Sequence, residues 1–264
     1  MTGVTCALTF VFGLLVGSFL NVVIYRVPRG ESIVKPRSRC PHCGTEIRAY
    51  DNVPVVSWLV LRGRCRDCKA PISPRYPAVE LFTGLIFLVM ALKFGASWEL
   101  PAYLYLAAIG VALSMIDFDV KRLPDVIVKP SYVVAGLLLL IPAVADSRWH
   151  DYLRAWLGAL ALLCFYGLIY LIAAMLYGGR GMGLGDVKLS GVLGLYLGWL
   201  GWGAVVVGSF LAFFYGAFIG IVLILVGRSG RKATVPFGPY MVLGAWTAIL
   251  WGQTLWDGYL GTMN

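Results

Sequence analysis

Two groups of residues in this chain have types and spacings that could do chemistry. One is an aspartate set between long apolar stretches, in Gly181-Met-Gly183-Leu-Gly185-Asp186-Val-Lys188. The other is a pair of C-x2-C motifs, Cys40/Cys43 and Cys65/Cys68, separated by 21 residues. An ionisable group at a bilayer edge costs free energy unless it is paired, solvated or used, which makes Asp186 a functional candidate. The alternating glycines free the backbone and let another chain approach closely. Against this stands a plain alternative, that Asp186 caps the following helix. The two readings stand level unless a second carboxylate reaches the same depth.

Met115-Ile-Asp117-Phe-Asp119-Val-Lys-Arg-Leu-Pro124-Asp125 supplies that carboxylate. Asp125, after Pro124 and before an apolar run, is placed as a helix N-cap. Asp119, near Lys121 and Arg122, reads as a solvated loop charge. Asp117 still belongs to the apolar run. Two carboxylates close together share a proton, so that one deprotonates water while the other donates to a scissile carbonyl. That is amide hydrolysis without a covalent intermediate. Rival routes fail on composition. There is no H-E-x-x-H, and the two histidines, His42 and His150, lie outside the apolar runs, away from Ser18 and Ser209. No lysine falls well inside a span, which weakens a serine-lysine pair.

The cysteine spacing is that of a four-thiolate zinc site, with Cys40, Cys43, Cys65 and Cys68 as ligands. Two disulfides or free thiols are the alternatives, and a reducing compartment disfavours the first. Four sulfurs fill a tetrahedral shell, so such a metal is structural. His42 is a bystander, and Cys6 and Cys164 are packing residues within helices. Glu80, in the first turn after Pro77, is explained by the helix dipole, with a cationic ligand as the weaker reading.

The elements that must position these groups are membrane helices. Of 264 residues, 59% are hydrophobic and 13% charged, and the mean hydropathy is +0.81. The expected fold is an all-α polytopic membrane protein of about eight spans with a small cytoplasmic zinc-binding loop domain. The spans fall at about 4–25, 77–93, 100–117, 126–145, 153–177, 187–202, 204–226 and 238–257. The first lacks a basic n-region and a cleavage site, and is read as a retained helix. Basic residues stay on the cytoplasmic side. With the N-terminus outside, all of the 22 lysines and arginines except Lys93, Arg148 and Arg154 fall on inner loops and helix ends. The net charge of +9 is therefore a topology signal, suited to anionic lipid and not an argument for nucleic acid. Asp117, ending an inward-running helix, and Asp186, opening an outward-running one, reach the same face. Were the substrate a helix, its carbonyls would be hydrogen-bonded and buried until it unwound, and the glycine-rich stretch 178–185 is a place for that.

The order Gly17-Ser-Phe-Leu-Asn-Val-Val-Ile-Tyr-Arg26, both cysteine pairs, Ser73-Pro-Arg-Tyr-Pro-Ala-Val-Glu80, the Asp117–Asp125 stretch and the glycine-aspartate motif resembles the bacterial type 4 prepilin peptidases. The resemblance covers nearly the whole chain. It implies a GxGD aspartic protease of the inner membrane that cuts basic leaders from type IV prepilins or type II secretion pseudopilins at the cytoplasmic face. It also implies N-methylation of the new N-terminus with S-adenosylmethionine. By motif, Asp117 matches the first catalytic aspartate and Asp186 the second. The implied division is a first transmembrane helix (1–25), a zinc-binding loop domain (26–76) and a peptidase core (77–264). The alternative from another class is a cation or proton transporter with an aspartate pair and a zinc-stabilised docking loop.

Overall fold

The structure is a computed structural model that describes residues 3–177, 182–226 and 236–262. Every regular element among them is helical. In chain order these are α1 (Gly3–Arg26), a short α2 (Val56–Val60), α3 (Arg75–Phe94), α4 (Leu100–Val120), α5 (Asp125–Ala145), α6 (Trp149–Tyr177), α7 (Leu184–Leu200), α8 (Trp202–Leu225) and α9 (Gly238–Gly261). Each expected span coincides with a long helix. Six of them, α1, α3, α4, α5, α6 and α8, are long and apolar enough to cross a membrane.

The chain divides into two compact units, Met1–Ala112 and Leu113–Asn264, with the boundary inside α4. In the first unit α1 packs against α3. A side chain on Gly13 would run into Gly84, so the small residues are what let the two backbones meet. In the second unit α7 is the centre, in contact with α5, α6, α8 and α9. Every residue from Leu189 to Trp199 is buried, and its glycines serve this packing. A Cβ on Gly194 would strike the Gly158 carbonyl of α6. At the far end of α7, Arg154 donates to the carbonyls of Gly198 (2.8 Å) and Trp199 (2.7 Å), capping groups that a helix end leaves unpaired. The outer helices show the reverse pattern: Phe210, Phe214 and Phe218 form an exposed, stacked ladder along α8. Apolar side chains turned outward and a close-packed glycine-rich helix within are what lipid selects, because it offers no hydrophobic drive between helices.

Several local expectations change. Asp119 lies inside α4, whose helix continues to Val120, although its side chain is exposed as expected. Asp125 is the first residue of α5 and not its N-cap, which is Pro124. Glu80 is in the second turn of α3, since the helix already starts at Arg75. The helix dipole, which acts within the first turn, therefore does not account for Glu80.

Candidate functional site

Asp117 and Asp186 both lie in the second unit, Asp117 in the last turn of α4 and Asp186 at the third position of α7. Both are buried, at 4% and 9% exposure. Both sit beside Leu123, which Gly185, next to Asp186, and Gly238, bonded to Asp117, each face closely. Each carboxylate is held through one oxygen by a backbone amide. Gly238 N–H, at the N-terminus of α9, donates to Asp117 Oδ2 over 3.0 Å. Gly183 N–H donates to Asp186 Oδ2 over 3.2 Å, the reciprocal half of a capping arrangement at the start of α7. Helix N-termini favour negative charge and present unpaired amides, so each acid sits where the backbone holds it.

Leu123 lies between the two supports. A Cβ on Gly185 would come 3.0 Å from Leu123 Cβ, and one on Gly238 would come 3.3 Å from Leu123 Cδ2 and 2.9 Å from Asp117 Oδ2. A side chain at either position would therefore press on Leu123, and at Gly238 on the Asp117 carboxylate as well. Tyr166 stacks on Phe213 at 5.4 Å, and Phe237, which precedes Gly238, lies against both rings. This aromatic wall keeps the site's surroundings apolar, where fixed dipoles act most strongly.

Asp125 serves another purpose. Lys188 Nζ donates to its two oxygens at 2.7 and 2.9 Å, Lys129 reaches it at 2.7 Å, and Tyr132 donates to the Lys188 carbonyl at 2.6 Å. These contacts brace the start of α7 against α5 and leave Lys188 committed. Ser209 and Ser190 donate to backbone carbonyls of their own helices. Residues 178–181, including Gly181 and the first part of the unwinding segment, lie outside the described residues, as do Arg180, Arg228, Arg231 and Lys232. Gly238 was not singled out from sequence. Its only local signal is Gly238-Pro239 at the head of the last apolar run, and its partner lies 121 residues away.

The second site lies in the first unit. Ligand atoms of Cys40, Cys43, Cys65 and Cys68 all fall within 4.8 Å of one another, with Cys40 Sγ and Cys68 Sγ at 3.7 Å. A tetrahedral zinc with bonds of about 2.3 Å needs sulfurs about 3.8 Å apart, so the donor set fits a metal ion. The two halves repeat one turn. Cys40 and Cys65 accept from Gly44 N–H and Lys69 N–H, and donate to the carbonyls of Thr45 and Ala70. Gly44 and Lys69 take positive φ at the same step, +72° and +60°. The bridges Arg39↔Glu46 and Arg64↔Pro71 close both turns. Thr45, through its hydroxyl and its amide, lowers the Cys43 thiol to about 6. The backbone amides of Cys68 and Asp67 hold Cys65 below the usual thiol range. Cys68 is pushed up to about 12: the Ala70 amide pulls it down, but desolvation and the three other thiols outweigh it. Four sulfurs so close cannot all carry charge without a cation among them.

Glu80 has a partner that sequence did not reveal. Its Oε2 accepts from Val55 N–H at 2.7 Å. Val55 is the centre of a γ-turn with φ +62°, closed by Val56 N–H on the Pro54 carbonyl at 2.6 Å. For a β-branched residue this conformation is strained.

Comparison with known proteins gives the family of the chain. The chain matches the family model for the bacterial peptidase A24 N-terminal domain over residues 11–94 and that for the type IV leader peptidase family over residues 104–225. It is 40% identical to a protein of Stutzerimonas stutzeri, with 97% of this chain and 93% of that one aligned. With a protein of Aeromonas hydrophila it shares 39% identity over 96% and 93%. With one of Myxococcus xanthus it shares 42% over 84% and 64%. All three carry the name prepilin leader peptidase/N-methyltransferase. No solved structure matches the chain.

Proposed function

The chain belongs to the type IV leader peptidase family, and from that premise we propose that it is a multi-pass inner-membrane aspartic endopeptidase and N-methyltransferase. It removes the leader of type IV prepilins or type II secretion pseudopilins and then methylates the new N-terminus. Asp117 and Asp186 are the catalytic pair. The observation that carries this reading is the matched arrangement of the two buried acids. In each, Oδ2 is held by a backbone amide, and the other oxygen makes no hydrogen bond among the described residues. Two fixed carboxylates with an oxygen left over suit a pair that shares one proton: one draws a proton from water, the other donates to the scissile carbonyl. In a pair that shares one proton the roles belong to both carboxylates together.

In this reading all eight long helices cross the bilayer, α7 and α9 shielded from lipid by their neighbours. The N-terminus is outside, and the acids and the cysteine segment are at the cytoplasmic face, following the asymmetry of lysine and arginine. Residues 1–25, 26–76 and 77–264 serve as anchor helix, zinc-binding loop domain and peptidase core. A leader carrying basic residues stays at the interface while its apolar helix enters the bilayer, bringing the junction to the depth of the acids. Zinc is the metal that the four thiols fit best, as a structural ion. S-adenosylmethionine would supply an electrophilic methyl group to the new amine. Two hollows of the first unit are lined by Arg26 and Arg37, and by Arg62, Arg64 and Lys69, without a carboxylate. Their lining offers no acidic partner for a sulfonium or an ammonium group, and no step is assigned there. Nothing supports a cation or proton transporter.

The test is cleavage of a leader-bearing prepilin by purified protein in detergent, with S-adenosylmethionine present and the product read by mass spectrometry. Asp117→Asn and Asp186→Asn, each folded, are expected to abolish the cut while Asp119→Asn keeps it. Cleavage by either of the first two variants would remove the dyad.

A further inference from the structure

Where α1 ends, a hollow of about 360 Å³ opens in the first unit. Its walls include Val22 and Arg26 of α1, and Ile33, Val34 and Arg37 of the loop that follows. Charge is its first feature. The Arg26 guanidinium is fixed by the carbonyls of Ser32 (2.9 Å) and Pro36 (2.7 Å), which are neutral acceptors and leave its charge uncompensated. Neither Arg26 nor Arg37 makes an ion pair among the described residues, and no carboxylate lines the hollow. Two arginines, one of them already immobilised, form a receptor for an anion of phosphate geometry.

Apolarity is the second feature. Val34 is 75% exposed and Ile33 41% exposed, on a loop that starts within a few residues of the end of an apolar span. Apolar side chains at that depth meet the boundary between headgroups and acyl chains. A soluble phosphate ester would satisfy the arginines and leave Val22, Ile33 and Val34 uncovered. An amphiphile satisfies both. We propose that this hollow binds the headgroup phosphate of an anionic glycerophospholipid, whose acyl chains run along Val22 and against Ile33 and Val34. The lipid then ties the cysteine-bearing segment to the bilayer surface through Arg26 and Arg37. This inference rests on α1 being a membrane helix and is independent of the peptidase chemistry.

The experiment uses the full chain in nanodiscs of phosphatidylcholine with a minor share of phosphatidylglycerol, moved to mild detergent, with retained lipid counted by native mass spectrometry. Wild type is expected to keep one phosphatidylglycerol in preference to phosphatidylcholine. Arg37→Ala, an exposed position whose folding is checked by thermal unfolding, is expected to lower that retention about fivefold, the share of one arginine near an anionic surface. Arg62→Ala, the same charge change elsewhere in the unit, is expected to leave it unchanged. Equal losses in both variants would overturn the site in favour of diffuse attraction. Displacement of the lipid by excess glycerol 3-phosphate would overturn the lipid assignment in favour of a soluble phosphate ester. Cleavage is not read, so failure here is distinct from failure of the peptidase reading.

Discussion

Replacing Gly238 by alanine isolates the support of Asp117 from the acid itself. An added Cβ would stand 2.9 Å from Asp117 Oδ2, whereas ordinary contacts begin at 3.4 Å. Leu123 Cδ2, at 3.3 Å from the same point, blocks part of the room for adjustment. The carboxylate must therefore retreat by about 0.5 Å, and since a misplacement of about 1 Å costs on the order of 100-fold in rate, a loss of about tenfold in kcat is expected. The stability effect has two opposed parts. Alanine favours a helix over glycine by up to about 1 kcal/mol, while overpacking a filled site costs about 1–3 kcal/mol. The net change in folding stability should be near neutral to about 2 kcal/mol unfavourable, far less than the rate loss would need if unfolding caused it. Gly220, whose added Cβ would meet nothing within 4 Å, is the control for glycine replacement in a helix. The assay is kcat for prepilin cleavage in detergent, with thermal unfolding of each variant in parallel. If Gly238→Ala, which keeps the amide and adds only the Cβ, cuts at the wild-type rate, the position of the Asp117 carboxylate against residue 238 does not set the rate and the account of the site is wrong.

Lys188→Ala removes a half-exposed bond to Asp125, so thermal unfolding should report under about 1 kcal/mol. Prepilin cleavage should fall through the loosened start of α7, and a rate equal to wild type would exclude the brace from catalysis. Metal analysis should find about one zinc per chain. A strong chelator should release it, expose four thiols to a thiol reagent and lower the unfolding temperature, whereas Cys6→Ser and Cys164→Ser should change none of these. Glu80→Ala leaves Val55 N–H without its acceptor, a loss of about 1–3 kcal/mol. Glu80→Gln keeps a carbonyl oxygen there and should recover most of it, and equal losses in the two variants would argue against the Val55 bond.

What sequence could supply here was whatever is written in neighbouring residues. The cysteine turns were legible because spacing within a C-x2-C pair sets the turn, and both turns follow one pattern of hydrogen bonds. The long helices were legible because a span is a run of apolar residues. Partners of single groups were not. Glu80 lies 25 residues from Val55, and Asp117 lies 121 from Gly238. Nothing in the composition around either acid specifies the amide that meets it. The role of Asp125 was missed for a related reason: a carboxylate at a helix start satisfies the capping rule equally well whether it faces its own backbone or, as here, Lys188 and Lys129.

Asp186 shows why the local reading and the functional one need not compete. As a cap, it uses Oδ2 for Gly183 N–H at the start of α7. That bond fixes the carboxylate's orientation and leaves Oδ1 unspent, as the amide of Gly238 does for Asp117. A catalytic carboxylate in an apolar setting needs the same thing, a fixed position secured by backbone dipoles that do not reorganise during the reaction. The glycines follow from this requirement. Gly185 and Gly238 both stand against Leu123, where an added Cβ would come within 3.0 and 3.3 Å of it. A Cβ at either helix start would press on Leu123 as the two amides close on the acids. Of the described glycines ahead of Asp186, Gly185 is thus explained by packing against Leu123. A variant with alanine at Gly185 should lower cleavage by pressing on Leu123, whereas Gly238→Ala presses on the Asp117 carboxylate itself.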